Sequence, residues 1–454
     1  MGRRAHVIAV PYPQQGHVMP LMKLSHRLAE RGVKVTFLTT EFIYAKIMWA
    51  LPQKGEEHSG IHIVSVPDGL EAEHDRKDGM VIDSMAKVMP GHLEELIRKM
   101  EESGEGRIDC VIVDTLLGWA LEVAVKMGIN RAAFCPYAVG LLAMDIQFPK
   151  LMEAGIVDSN GTTVKDEVIQ LSPGMPAMNT TEIIWNSPDN PMVQEIMLGF
   201  VLSINQAVKL SNWILCNSFY ELDPSLHDLI PNLRPIGPLL MSNHLQQHVG
   251  SFWQEDSTCL SWLDKQPPCS VVYVAFGSIT IFSQHQFDEL ALGLELIGRP
   301  FLWVVRSDLT AGSDIVYPDG FKDRVAHHGK IVMWAPQQKV LAHPSTACFI
   351  THCGWNSTTE GLITGVPFIS WPYFVDQFYN ERCICDIWKV GLGLSPDKDG
   401  IISRHEIKSK VESLLCDQGI RANALKLKEM ARKSISEDGS SSKNLEDFIE
   451  QIRC

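Results

Sequence analysis

The densest cluster of chemistry-bearing residues lies between Trp334 and Gln377. An apolar run, Ala347-Cys348-Phe349-Ile350-Thr351, breaks into His352-Cys353-Gly354-Trp355-Asn356-Ser357-Thr358-Thr359-Glu360-Gly361. A strand that ends near glycine and opens a helix is a phosphate-binding geometry. The first N–H groups of a helix have no carbonyl within the helix to receive them, and the peptide dipoles place partial positive charge there. Asn356 and Ser357 add side-chain donors. No Lys or Arg occurs between His352 and Gln377. A diphosphate here would rest on backbone N–H groups, hydroxyls, an amide and His352, a set suited to a leaving group that must later depart. A second candidate pair is His17 and Asp114. Imidazole titrates near neutral pH and can take a proton, and a carboxylate can steady the resulting cation. The plainer alternatives are a polar helix cap for His17, one of 16 histidines, and a helix N-cap for Asp114.

These residues need elements to hold them. His6 to Val10 reads as a buried strand, Pro11 to Gly16 as a turn, and Met19 to Arg31 as a helix with Pro20 in its first turn and Gly32 past its end. Val33 to Leu38 is a strand. Val111 to Val113 is another, ending in Asp114, and Leu117 to Met127 is a helix. Alternating strand and helix imply an α/β half with a mostly parallel sheet. His17 and Asp114 then both follow strands, at the carboxyl edge where doubly wound sheets bind ligands. Trp213 to Asn217 reads as the last strand of this half, and Ile236 to Ser257, without periodicity, as a linker. The second half repeats the pattern. Leu260 to Leu263 is a short helix and Val271 to Phe276 a strand breaking into Gly277-Ser278. Ser283 to Gln286 is a capping box for the helix to Ile297. Phe301 to Val305 and Ile331 to Met333 are further strands. The tail reads as a loop at Gly439-Ser440-Ser441-Ser442 and a last helix from Asn444 to Ile452.

The spacing predicts domains at 1–240 (with a linker to about 257) and 258–436, and a closing helix at 437–454. A net charge of −14 argues against nucleic-acid or anionic-membrane partners. No apolar run reaches transmembrane length, and the start, Met1-Gly2-Arg3-Arg4, lacks a signal-peptide core. The 11 cysteines are scattered without a CxxC pair, which fits reduced thiols in the cytoplasm. Without a CxxC pair there is also no paired-cysteine metal spacing, and no metal and no cofactor is expected. Met85, Met89, Leu142, Phe148, Trp185 and Met192 are candidates for an apolar acceptor pocket, against the alternative that each is core.

From Trp334 to Gln377 without a gap, the chain resembles the signature box of plant UDP-sugar-dependent glycosyltransferases that act on small lipophilic molecules. Weaker similarity extends over nearly the whole chain. The resemblance implies GT-B architecture, two Rossmann-like domains facing across a cleft, with the closing helix returning to the first domain. It implies that His17 is a general base held by Asp114. In the box it implies that Trp334 stacks on uracil, that the Ala335 backbone reads the base edge, and that Gln337 lies near the ribose. From the residue alone, a core Trp334 stays equally open. His352, Gly354, Asn356 and Ser357 would hold the phosphates, with Ser278 approaching from a neighbouring loop. Trp355, Asp376 and Gln377 would read the sugar, and Gln377 in the last position favours glucose. Glu360 has two readings, a grip on the ribose diol or the distal end of a Ser357–Glu360 capping box.

The expected reaction is inverting, metal-independent transfer of glucose from UDP-glucose to a nucleophile, a hydroxyl, of a small plant metabolite such as a flavonoid, another phenolic or a terpenoid. The partners are that acceptor and the UDP-sugar, and a monomer is expected. Another UDP-sugar, or a C- or N-glycoside product, is the nearest alternative. A nicotinamide-dependent oxidoreductase is disfavoured because no G-x-G-x-x-G follows a strand, and a P-loop enzyme because G-x-x-x-x-G-K-[ST] is absent. A non-catalytic binder would be suggested by loss of His17 or Asp114, and both are present.

Overall fold

The computed structural model describes residues 4–51, 60–71, 78–103, 106–187, 189–241, 250–310 and 315–453. The chain divides into two compact units, Met1–Trp253 with Lys433–Cys454, and Gln254–Arg432. The first three residues and part of the linker reading, 242–249, lie outside the described residues.

The first unit carries β1 (His6–Val10), β2 (Lys34–Thr40), β3 (Ile61–Val66), β4 (Cys110–Asp114) and β5 (Asn130–Cys135). A small antiparallel pair, β6 (Val168–Ile169) and β7 (Met178–Asn179), stands apart, and β8 (Trp213–Cys216) and β9 (Leu233–Pro235) complete the sheet. The sheet is parallel, in the order β3-β2-β1-β4-β5-β8-β9. β1 and β4 are buried at every position, because both faces of a parallel sheet are covered. Trp213–Cys216 is therefore not the last strand. The three-residue β9 pairs beyond it, too short and too proline-bound to leave an apolar run.

The second unit carries β10 (Val271–Ala275), β11 (Phe301–Val304), β12 (Gly329–Val332), β13 (Thr346–Thr351), β14 (Phe368–Ser370) and β15 (Gly391–Gly393). Its sheet, also parallel, runs β12-β11-β10-β13-β14-β15. The two units share a topological device. In each, the first strand lies between the strand that follows it and one reached by a crossover to the other side. β1 has β2 on one side and β4 on the other, as β10 has β11 and β13. Chain connections diverge at such a point and leave a crevice outside the carboxyl ends of the strands.

Three local readings change. The first helix spans Gln15–Glu30, so His17 lies inside its first turn and Pro20 a turn further in. The last helix starts at Ser440, so the serines expected in a loop form its first turn. Ser441 Oγ donates to the Gly237 carbonyl at 2.6 Å and Asn444 Nδ2 to the Pro235 carbonyl at 2.8 Å. Leu445, Phe448, Ile449 and Ile452 enter the core of the first unit beneath β1 and β2. At about 1.5–3 kcal/mol per buried apolar side chain, this face fixes the helix to the unit. The Ser283 cap is half a box: Ser283 Oγ accepts from Gln286 N at 3.2 Å, but the Gln286 amide is spent on the backbone of Ile402.

Candidate active site

In the first unit the switch point lies between β1 and β4, paired from Val7–Cys110 to Val10–Val113. His17 comes from the helix after β1 and Asp114 from the last residue of β4. His17 Nδ1 lies 2.8 Å from Asp114 Oδ2. Asp114 is fully buried, and its Oδ1 accepts from Leu116 N at 3.0 Å. An ionised carboxylate only accepts, so Nδ1 carries the proton and donates, and Nε2 keeps its lone pair. The His17 side chain retains 19 % of its exposure, so the ring is not sealed off as Asp114 is. Two aromatic neighbours went unnoticed in the sequence. Tyr12 meets the His17 ring edge-on at 5.2 Å between centroids, and Phe200 meets Tyr12 at 5.7 Å.

The six candidate acceptor contacts are scattered over several elements. Met85, Met89, Leu142, Phe148 and Trp185 are each buried to 1 % exposure or less, whereas Met192 is 58 % exposed at the start of the helix Pro191–Leu210. Phe148 and Trp185 pack edge to face at 5.5 Å.

In the second unit the switch point joins β10, ending at Ala275, to β13, ending at Thr351. The loops leaving these strands meet at His352. A β-carbon on Gly277 or on Gly354 would collide with the His352 ring, so both positions need glycine, and Gly277 also has φ +66°. Burial and the nearby Arg306 charge push the His352 pKa down to about 4, against the pull of the Ala275 carbonyl. His352 is thus neutral near pH 7.

The helix beyond spans Trp355–Thr364 with Gly354 as N-cap and no side-chain cap. Ser357 is then its third residue and Glu360 its sixth. That overturns the capping-box reading of Ser357–Glu360, since Glu360 lies too deep in the helix to reach back to its cap. Both carboxylate oxygens of Glu360 face other groups: Gln337 Nε2 donates to Oε2 at 2.8 Å and Gln338 Nε2 to Oε1 at 3.1 Å. Gln337 Nε2 also donates to Ser357 Oγ at 2.9 Å, and its oxygen accepts from Tyr273 Oη at 3.2 Å. Gln337, Ser357 and Glu360 therefore form one network. Trp334 and buried Ala335 immediately precede it, and Trp334 O accepts from Asp256 N at 2.9 Å.

Asn356 is half-buried in the first turn, and the Trp355 ring is buried with Trp388 at 6.4 Å. Ser278 is half-buried directly after Gly277. Buried Asn380, which sequence reasoning missed, ties two parts together. Its Nδ2 donates to the Cys353 carbonyl at 2.9 Å and to Asp376 Oδ2 at 3.0 Å. Gln377 Oε1 accepts from Tyr373 N at 2.8 Å and Phe374 N at 3.3 Å, which leaves the amide N–H groups as its outward face. Val375, just before, has φ +54°, a costly conformation for a β-branched residue.

The stretch from His352 to Gln377 lacks Lys and Arg, yet a cation lies against it. Arg306, at the carboxyl end of β11 and 1 % exposed, donates to the carbonyls of Gly277 and, at 2.9 Å, Thr280. Only the fold brings residue 306 to residues 277 and 352. Among the described residues, no group of three His, Cys, Asp or Glu is arranged to hold a metal, and no helix is long and apolar enough to cross a membrane.

Residues 94–435 match the family model described as UDP-glucoronosyl and UDP-glucosyl transferase. The chain is 43 % identical to UDP-glycosyltransferase 83A1 of Arabidopsis thaliana, over 99 % of this chain and 97 % of the relative. Its structure resembles a UDP-glucosyltransferase from Polygonum tinctorium that glucosylates indoxyl, solved with 3,4-dichloroaniline (TM-score 0.84, 29 % identity, 100 % of both chains). It also resembles Phytolacca americana UGT2 complexed with UDP-2-fluoro-glucose and pterostilbene (TM-score 0.82, 26 % identity, 99 % of this chain and 100 % of that one). Whole-chain likeness of this kind assigns the two Rossmann-like domains to the GT-B fold class.

Proposed function

Because the chain belongs to the UDP-glucoronosyl and UDP-glucosyl transferase family, and is a glycosyltransferase that uses a UDP-sugar, we propose that it transfers glucose, with inversion and without metal, to a hydroxyl of a small aromatic or other lipophilic plant metabolite. The observation that carries the reading is the 2.8 Å contact of His17 Nδ1 with buried Asp114. That contact fixes the tautomer whose Nε2 can take a proton. As the acceptor oxygen attacks the anomeric carbon, its proton passes to Nε2, and the Asp114 carboxylate stabilises the imidazolium. Such a base contributes roughly 10²–10⁴-fold in rate. Attack comes from the face opposite the departing UDP, so a single displacement inverts the anomeric centre.

On the donor side, Trp334 and Ala335 hold uracil, and Gln337 and Glu360 the ribose. Ser278, His352, Gly354, Asn356 and Ser357 hold the diphosphate, and Trp355, Asp376 and Gln377 the sugar. Neutral His352 donates a hydrogen bond to a phosphate oxygen and adds no charge. The first turn of the Trp355–Thr364 helix stabilises the charge that grows on the leaving diphosphate. Gln377 in the last box position supports glucose. The solved relatives, one holding UDP-2-fluoro-glucose with a stilbene and one a dichloroaniline, support a flat apolar acceptor. Tyr12, edge-on to His17, and Phe200, packed on Tyr12, suit such a molecule.

The test is His17→Ala, assayed with UDP-glucose and a panel of phenolic, flavonoid and terpenoid acceptors in the presence of EDTA. The wild type is expected to turn over, and the variant to lose transfer to hydroxyls while binding UDP within twofold of the wild type, roughly the loss of a group that touches only the reacting proton. Undiminished turnover by the variant would refute the general-base role.

A further inference from the structure

We propose that Arg306 is a positioning residue of the donor site: its buried guanidinium sets the Gly277–Thr280 loop and supplies the positive charge that holds a nucleoside diphosphate beside His352. The inference rests on the donor-site reading above and adds a residue outside the signature box.

The geometry is that of a strut. Arg306 extends the carboxyl end of β11, the strand next to β10, and is 1 % exposed. One guanidinium arm donates to the Gly277 carbonyl, and another to the Thr280 carbonyl at 2.9 Å. The third, Nε, lies 2.9 Å from Asp308 Oδ1. The loop is strapped to the same segment further along, since Phe282 N donates to Leu309 O at 2.7 Å. A planar trans peptide directs its carbonyl and N–H in opposite directions. With the Gly277 carbonyl turned to Arg306, the N–H of Ser278 is turned away from it. Both carbonyl dipoles that would repel an anion are thus occupied by a cation. Lysine could not copy this arrangement, because an ammonium is a point charge without the planar fork.

The charge balance points the same way. A nucleoside diphosphate carries at least two negative charges. The stretch from His352 to Gln377 contains no Lys or Arg, and His352 is neutral near pH 7 because burial and Arg306 itself lower its pKa to about 4. A helix terminus provides only about half a charge. Arg306 is the guanidinium whose field reaches His352. Its partner Asp308 has a side chain 64 % exposed, so water screens part of the carboxylate's charge while the guanidinium stays buried, and the pair keeps a net positive field.

The test compares UDP with uridine, which share the base and ribose but differ in the diphosphate. Binding to the full chain is measured by titration calorimetry for the wild type and for Arg306→Gln, Arg306→Lys and Asp308→Asn. The wild type binds both. Arg306→Gln is expected to weaken UDP about 30-fold and uridine less than twofold, the size of a lost charge-assisted contact. Arg306→Lys, which keeps the charge and loses the fork, falls between. Asp308→Asn, a change at an exposed side chain, unmasks the guanidinium and tightens UDP about two- to threefold with uridine unchanged, a surface-charge effect. In NMR titrations the His352 pKa rises in Arg306→Gln and falls in Asp308→Asn. Parallel changes for UDP and uridine, or none in Asp308→Asn, would overturn the inference. If Arg306→Gln fails to fold, Asp308→Asn decides by itself. A wild type that binds neither ligand would instead overturn the donor-site reading on which the inference stands.

Discussion

Asp114→Asn isolates what the carboxylate does for His17. The side chain is fully buried, with Oδ2 2.8 Å from His17 Nδ1 and Oδ1 3.0 Å from Leu116 N. Asparagine keeps the shape but offers one acceptor and one donor end. The Leu116 N–H can only donate, so the amide oxygen takes its side and the amide nitrogen faces His17. His17 must then accept at Nδ1 and carry its proton on Nε2, the wrong tautomer for a base. The alternative amide rotamer restores the tautomer but leaves the Leu116 N–H against an NH₂ group, at about 1–3 kcal/mol, or roughly 5- to 150-fold in the competent fraction. Within that fraction the imidazolium has lost its counter-charge, about 1–2 kcal/mol more. Together these, about 2–5 kcal/mol, predict a fall in kcat/KM of roughly 30- to 5,000-fold. The assay is steady-state transfer from UDP-glucose to a series of phenols of decreasing pKa, with UDP affinity as the control. The deficit should shrink for the most acidic phenols, which need least help from a base. Activity within tenfold of the wild type, or a deficit independent of acceptor pKa, would refute the tautomer argument.

Two further outcomes are expected. Glu360→Ala should raise the KM for UDP-glucose about tenfold or more and change kcat little if, as proposed, Glu360 holds the ribose. An unaltered KM with a lowered Tm would reduce Glu360 to a partner of Gln337 and Gln338. His352 predicts a pH dependence of stability. Its folded pKa of about 4 lies below the ordinary 6.5, so on acidification the unfolded chain takes up a proton that the folded chain resists. The contribution is whole above pH 6.5 and is lost as pH falls toward 4, to a limit of about 3 kcal/mol. Urea midpoints between pH 4 and 7 should show that slope, and His352→Gln should remove it.

The sheets were legible because their strands are apolar runs bounded by turn residues, and the meeting of His17 with Asp114 because both follow such strands. Limits of reading appear at particular residues. β9 has three residues, one of them proline, and carries no periodic signal. Of the two readings of Glu360, the capping box placed a helix start a few residues too late, because Ser357 and Glu360 satisfy a capping pattern that the backbone does not use. Arg306 and Asn380 act through contacts between segments 26 to 46 residues apart, and spacing alone predicts none of them. The apolar set from Met85 to Met192 shows a different limit. A methionine in a core and one on a pocket wall have the same chemistry, and only accessible surface separates them.

The amides of Gln337 and Gln338 give the ligand-free protein a property of its own. On the proposed reading they occupy the oxygens of Glu360 that a ribose diol takes over, so they serve as placeholders. Nucleotide binding at this point is then an exchange that leaves the number of hydrogen bonds to the carboxylate nearly unchanged. Product release runs the same exchange backwards, and no buried carboxylate is stranded when UDP departs. Such a site keeps its carboxylate paired at every stage of turnover and resets itself between one nucleotide and the next.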